Sequence, residues 1–349
     1  MMPVFGSSPG QEEVDKFKNS PQFKHEEQKF VNRKPDVLEQ MRKDSYNFST
    51  IIEWLKAGEA RSPGMPLPEV KPDLAEFIKP SEELKVIWFG HSTFLLNVSG
   101  KIILVDPVFS GSAAPFSFMV KRFQPAVLKL EELPKIDFIV ISHDHYDHLD
   151  MESIKFFAKK ENKFLTPLGV GSHLAGWGVD RSRITELDWW QNSEVDGLEF
   201  IATPAQHFSG RGISDGNKTL WASWVIRNKN HNVYFSGDSG YDTHFKEIGD
   251  KFGPFDIAFI ENGQYNQKWR AVHALPEESV QAYFDLKAKR FFPVHWGMFV
   301  LALHSWYEPM DELLKLSVSR GVNIVTPKLG EMVTVNDGYR NVEWWVELK

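Results

Sequence analysis

From about residue 84 onward the chain alternates short apolar runs with turn-forming residues. Residues 85–89, 93–98 and 101–105 are three consecutive runs of this kind, and Ser99-Gly100 marks a hairpin turn between the last two. Residues 137–141 form a continuous apolar run bounded by a turn signal, which suits a buried strand. Further strands are predicted over 198–203, 220–227, 232–236, 256–260, 290–294 and 322–326. Helical segments are predicted near 151–161, 276–288 and 308–320, with Pro276 suited to a first helical turn. Strands and helices interleave, yet several strands are joined by hairpins. The pattern therefore predicts an α/β protein of two mixed sheets covered by helices, not a simple doubly wound sheet.

The first part of the chain reads differently. It is rich in Lys, Glu and Gln and ends in SPGMPLPEVKP, 62–72, a spacing that favours extended or polyproline II backbone. Within it Phe48, Ile51, Ile52 and Leu55 fall at helical spacing and predict a short amphipathic helix. The expected division is an N-terminal extension, 1–83, packed on a core domain, 84–349.

One stretch breaks the apolar pattern sharply. ISHDHYDHLD, 141–150, places three histidines and three aspartates directly after a strand. If the backbone continues extended, His143 and His145 point to one side, because side chains alternate with period two. Asp147 and His148 then lie in a turn and diverge toward a second point nearby. Four donors split two and two suit a pair of close metal ions. Three further donors close other apolar strands: His207 after 198–203, Asp238 in SGDSG after 232–236, and His295 after 290–294. The carboxyl ends of strands are where α/β folds tend to place their sites.

The chain has no cysteine, so any metal site is built from nitrogen and oxygen. Imidazole and carboxylate suit Zn²⁺, and also Mn²⁺ or Fe²⁺. An aspartate bridging two ions roughly 3.5–4 Å apart holds a shared water, and bound metal lowers its pKa toward ~7. A net charge of −7 argues against a nucleic-acid partner. No apolar run approaches the ~20 residues that cross a bilayer. The start, MMPVFGSSPGQEEVDKFKNS, lacks the basic and apolar regions of a secretory signal, so a cytoplasmic location is expected.

H-x-H-x-D-H after a strand, with a later His, Asp and His each closing a strand, resembles the metallo-β-lactamase fold. Further stretches resemble one branch of it, the N-acyl-phosphatidylethanolamine-hydrolysing phospholipase D family and its bacterial relatives. They are WFGHST (88–93), LVDPVF (104–109), ELDWW (186–190), FGPFD (252–256), His273 before PEE (276–278), and HWG (295–297). The resemblance implies an αββα four-layer sandwich with a dinuclear site, two Zn²⁺, at one edge of the sheets. It implies His143, His145 and His207 on one ion, Asp147, His148 and His295 on the other, and Asp238 between them. It further implies a metal-bridging hydroxide as nucleophile and a phospholipid-type substrate. A histidine at 145, where a glutamate would suggest a diiron oxygen-reducing branch, favours hydrolysis. The loop 261–265 and the first 80 residues match no family pattern, so a lactone, a thioester or a soluble phosphodiester remains the alternative substrate.

Beyond the ligands, the resemblance makes His273 a substrate-phosphate contact or a proton donor to the leaving group. Asp147 and His273 are thus the expected catalytic pair. His91 fits either support of a ligand or core packing, and Asp106 either a bond to a ligand histidine or an Asp-Pro turn. Arg211 offers a guanidinium to phosphate or to solvent. His25, His173, His231, His244 and His304 have no partner pattern and default to structural roles. Phe116, Phe118, Met119 and Phe123 beside Lys121 and Arg122 suit either an interfacial contact or packing on the sandwich. Peripheral membrane contact and homo-oligomers are the remaining associations anticipated.

Overall fold

The computed structural model describes residues 2–34, 36–45, 52, 59–336 and 338–349. The amphipathic helix predicted around 48–55 lies, apart from Ile52, outside the described residues. The N-terminal segment carries the helix α1 (Gln11–Phe17), a ribbon of β1 (Phe23–Lys24) and β2 (Lys29–Phe30), then α2 (Val37–Ser45) and α3 (Leu74–Phe77). Two larger sheets follow. The first contains β3 (Lys85–Trp88), β4 (Phe94–Val98), β5 (Lys101–Val105), β6 (Phe138–Val140), β7 (Lys163–Pro167) and β8 (Ile184–Leu187). The second contains β9 (Asn192–Val195), β10 (Leu198–Thr203), β11 (Ser223–Arg227), β12 (Asn232–Phe235), β13 (Ile257–Glu261) and β14 (Phe291–Val294). The chain then returns, through β15 (Met332–Thr334), to the edge of the first sheet beside β3.

Both sheets share a plan. β3, β4 and β5 form an antiparallel meander, and β5 to β8 run parallel. Likewise β9 to β12 are antiparallel, and β12 to β14 are parallel. In the first half the segment 106–137 makes the β5–β6 step, and α4 (Met151–Ala158) and α5 (Val170–Gly176) the next two; α6 (His244–Phe252) and α7 (Pro276–Asp285) make the steps in the second. The predicted Ser99-Gly100 turn joins β4 to β5 with Val98 opposite Lys101. Both turn residues are left-handed, φ 53° and 87°, as a two-residue hairpin loop matching strand twist requires.

The period-two pleat sorts the apolar residues into layers. Val86, Trp88, Phe94, Leu96, Ile103, Val105, Phe138 and Val140 face the second sheet and share one core with Phe200, Trp224, Phe235 and Phe259. Phe94 stacks on Phe259 across the interface at 4.0 Å, and Phe138 meets Phe200 at 5.0 Å. Their neighbours Ile87, Leu95, Leu104, Ile139 and Ile141 face the other way, onto Ile154 and Phe157 of α4 and Val170 and Leu174 of α5. On the second sheet, Phe245 and Ile248 of α6 and Val280 of α7 extend the core. The result is the expected helix–sheet–sheet–helix order.

Three differences from the sequence pattern have physical causes. Residues 322–326 make one bridge, Ile324 to Phe291, instead of a strand. Pro327 follows them and has no N–H to extend a ladder. The predicted strand 220–227 pairs only from Ser223. β7, β8 and β9 lie outside the predicted strands: KFLTP holds only two adjacent apolar residues, and ITEL and NSEV are half-exposed and polar, without an apolar run. Among the described residues no helix is long and apolar enough to cross a membrane.

Candidate metal centre

The site forms along one rim, where strands from both sheets end. β6 leads into Ser142 and His143, and the loop closes at Asp150, which caps α4 by accepting from the backbone N–H of Glu152 and Ser153. Asp150 also accepts from Ser110 Oγ at 2.7 Å. Asp144, likewise not a predicted ligand, accepts from Gly210 N and Thr219 Oγ, each at 2.8 Å, and faces His173 Nε2 at 3.3 Å. These two aspartates thus hold the loop's shape while its other ionisable side chains face inward.

The structure brings all seven predicted ligands together, in two groups. His143, His145, His207 and Asp238 present ligand atoms within 4.8 Å of one another. Asp147, His148 and His295 do the same, together with His91. Asp238 lies between the groups. Its Oδ2 is 3.7 Å from both His143 Nε2 and His207 Nε2 and 3.1 Å from His295 Nε2, while Oδ1 is 3.1 Å from His148 Nε2.

Hydrogen bonds behind the rings set the tautomers. The Ser142 hydroxyl donates to Asp106 at 2.5 Å, so it accepts from His143 Nδ1 at 2.9 Å. His207 Nδ1 donates to the Val272 carbonyl at 3.1 Å, and His148 Nδ1 to Asp106 at 2.7 Å. With the rings neutral, as ligation requires, the three Nε2 atoms are inward lone pairs, the arrangement that outer hydrogen bonds impose on metal-binding histidines. His145 Nδ1 lies 2.9 Å from His143 Nε2 and 3.1 Å from His207 Nε2. One proton on His145 satisfies one of these neighbours, whereas a cation satisfies all three nitrogens. His148 Nε2 and Asp238 Oδ1 are buried 3.1 Å apart as an ion pair, outside hydrogen-bond geometry, and neither has a hydrogen-bond partner. The residues fit a pair of cations.

The electrostatics agree. Burial holds His143 and His207 well below the usual histidine range, keeping them neutral as metal ligation demands. Burial also opposes charge on His148 and His295, but the carboxylates outweigh it. Asp238, Asp147 and Asp106 hold His148 well above its usual range, and Asp238, Asp147 and Glu261 push His295 up to about 10. Asp147 and Asp238 lie well below the carboxylate range despite their burial, chiefly through His148. Without a cation the carboxylates of the second group draw protons onto His148 and His295, and a metal ion bound there would displace them, since ligation takes the neutral ring.

The other candidate residues separate clearly. His91 Nε2 bonds Asp147 Oδ2 at 2.9 Å, and Asp106 supports His148, so both touch a ligand directly. His91, Asp106 and His295 are all left-handed, φ 52°, 37° and 67°, a cost that side chains accept where surrounding structure over-determines them. His273 sits beside the rings of His207 and His295, at 5.0 and 5.1 Å. Arg211 fits neither earlier reading. It is buried, and its guanidinium donates to the carbonyls of Asp144, Leu149 and Val4 while lying 4.0 Å over Tyr146. Those bonds brace the motif loop and leave no fork for phosphate. In two of the stretches that carry the resemblance, Trp189 of ELDWW and Trp296 of HWG are packing residues, the latter stacked between Trp88 and Trp344. Phe116, Phe118 and Met119 are exposed, and Arg122 turns inward onto the Val108 carbonyl.

Glu261 escaped the sequence reading. It closes β13 as Asp238 and His295 follow β12 and β14, which was the available signal. Its carboxylate accepts from Ala274 N at 2.7 Å, meets His273 Nδ1 at 3.0 Å and lies 3.7 Å from His295 Nδ1.

The family follows from a direct match. Residues 101–296, more than half of the chain, fit the description "Beta-lactamase superfamily domain". The chain belongs to the metallo-β-lactamase superfamily. It is a metal-dependent hydrolase of that fold. An uncharacterized protein of Mycobacterium tuberculosis is 40% identical over 321 residues, covering 90% of this chain and 85% of that one. The N-acyl-phosphatidylethanolamine-hydrolyzing phospholipase D 1 of Caenorhabditis elegans is 37% identical over 268 residues, 72% of this chain and 75% of that one. Among solved structures, an isothiocyanate hydrolase from Delia radicum gut bacteria superposes with a TM-score of 0.58 at 20% identity, over 72% of this chain and 98% of that one. That likeness bears on the fold alone.

Proposed function

We propose that the protein is a dinuclear zinc phosphodiesterase of phospholipase D type, acting on N-acyl-phosphatidylethanolamine-type phospholipids. The observation that carries the dinuclear reading is Asp238, one carboxylate reaching both ligand groups. The substrate class rests on the similarity to the C. elegans enzyme. In this reading His143, His145 and His207 hold one ion, Asp147, His148 and His295 the other, and Asp238 joins them. Bound there, two divalent ions supply positive charge for phosphoryl oxygens and a water of lowered pKa. The chain's own residues do the rest. Asp106, through Ser142 and His148, fixes one ligand from each group. Glu261 accepts the Nδ1 proton of His273 and leaves Nε2 to meet the leaving group. Phe116, Phe118 and Met119 beside Lys121 suit contact with a lipid surface, since apolar groups flanked by basic ones bind interfaces. A cleft of about 470 Å³ runs from Pro115, Ser117 and Lys121 to Tyr146 of the motif loop.

The test is hydrolysis by zinc-loaded protein of N-acyl-phosphatidylethanolamine vesicles, an acyl-homoserine lactone, a thioester and bis-p-nitrophenyl phosphate. The reading expects turnover of the lipid, lost on chelation and restored by zinc. Turnover of the lactone or thioester alone moves the protein to another hydrolase class.

A further inference from the structure

The N-terminal segment is tied to the ligand-bearing loops at several points. The carbonyl of Val4 accepts from Arg211, which itself braces the motif loop. Ser7 N donates to His173 Nδ1 at 3.1 Å, and that ring reaches Asp144 through its other nitrogen. A Cβ on Gly6 would stand 2.1 Å from His173 Nδ1, so the backbone there lies directly on the ring. Phe30 N donates to the Asn217 carbonyl at 2.8 Å, and Phe17, Phe23 and Phe30 join the main core.

One contact reaches a predicted ligand. Asn32, 3% exposed, accepts from His207 N at 3.0 Å and donates through Nδ2 to His207 O at 2.8 Å. A single amide therefore engages both backbone groups of His207, while Val272 O holds Nδ1. His207 lies past the end of β10, after Pro204; its neighbour Gln206 is tied to Gly240 N and Ser239 Oγ at 2.9 Å each, whereas the N–H and carbonyl of His207 itself find their partners in Asn32. A side-chain amide paired on both edges supplies the two-point fixation that a neighbouring strand gives elsewhere. Nε2 is thereby aimed at His143, His145 and Asp238.

We propose that Asn32 is a positioning residue for His207, so that the N-terminal segment completes the metal centre from outside the two sheets. This rests on the ligand assignment above. Loss of such outer support costs about 10–100-fold in metal affinity or activity.

The test uses the full-length protein with Asn32→Leu, of similar volume but without donor or acceptor, and Asn32→Asp, which keeps only the acceptor. Zinc stoichiometry and competition with a chromogenic chelator read the metal. Amide hydrogen exchange of the His207 peptide, measured without metal, reads the backbone bond. Asn32→Leu is expected to weaken one of two zinc sites by at least about tenfold. Hydrolysis should fall in step and recover with excess zinc, and exchange at His207 should speed up, with Asn32→Asp intermediate. Wild-type zinc affinity together with unchanged exchange would overturn the proposal. So would a loss of activity that excess zinc does not restore, because that is a general folding defect. If wild-type protein binds no zinc, the ligand assignment fails and the metal-positioning role falls with it. Exchange at His207 then shows whether Asn32 still orders the loop.

Discussion

The two sheets build the same rim by different means. The first supplies His143, His145, Asp147 and His148 from one loop after β6. The second supplies Asp238 and His295 one at a time, from just past the ends of β12 and β14. Beneath each set lies a buried carboxylate: Asp106 under the first, bonded to His148, and Glu261 under the second, bonded to His273. The halves are alike in plan, an antiparallel meander leading into parallel strands, but not in how they concentrate donors. A contiguous loop needs internal braces, which Asp144, Asp150 and Arg211 provide. Dispersed strand ends are already fixed by their ladders. His207 lies beyond its ladder with only its neighbour Gln206 tied to the loop after β12, and its own backbone is held by Asn32.

Substitutions can break this comparison at graded cost. Asp238 alone faces both groups, so Asp238→Asn should take hydrolysis to background and remove bound zinc, measured by turnover and elemental analysis. Retained zinc at both sites would show that the halves do not share it. His273→Ala should lower turnover by about 10²–10⁴-fold, the contribution of a positioned proton donor, with zinc content unchanged. A matched loss of zinc would make His273 a ligand instead. The two buried carboxylates should differ in kind. Asp106→Asn should weaken zinc binding about 10–100-fold, because it turns His148 and, through Ser142, His143. Glu261→Gln should mainly slow turnover of substrates with poor leaving groups, and equal effects on metal affinity would erase the distinction.

The smallest effect is on stability. Burial pushes His244, at the start of α6, down from 6.5 to about 3, although Asp242 pulls the other way. The folded state then binds fewer protons than the unfolded state. Its contribution is complete above the unfolded value of 6.5 and is lost as pH falls toward about 3, with a slope approaching ~1.4 kcal/mol per pH unit. Urea unfolding of His244→Gln between pH 7 and pH 5 should show a shallower pH dependence than the parent.

The same contrast explains what was legible in the sequence. Four donors in one loop announce themselves by spacing. His207, Asp238 and His295 were found because each follows an apolar strand. Glu261 has that context too, but it opens a loop matching no family pattern, and its partner His273 stands twelve residues on. Arg211 was misread because nothing local shows that a loop 60 residues from the motif folds back to brace it. Asn32 has no local signature at all, since its partner is 175 residues away. β3 to β6, α7 and the helix observed at Glu308–Arg320 were readable from apolar period, whereas β8 and β9 have too little apolar character to stand out.

The central claim, water attack at phosphorus by a zinc-dependent centre, is tested most directly by hydrolysing N-acyl-phosphatidylethanolamine in ¹⁸O-water. The account predicts one ¹⁸O in the released phosphatidic acid, none in the N-acylethanolamine, and no products after chelation. Label in the alcohol, or undiminished turnover without metal, would contradict it.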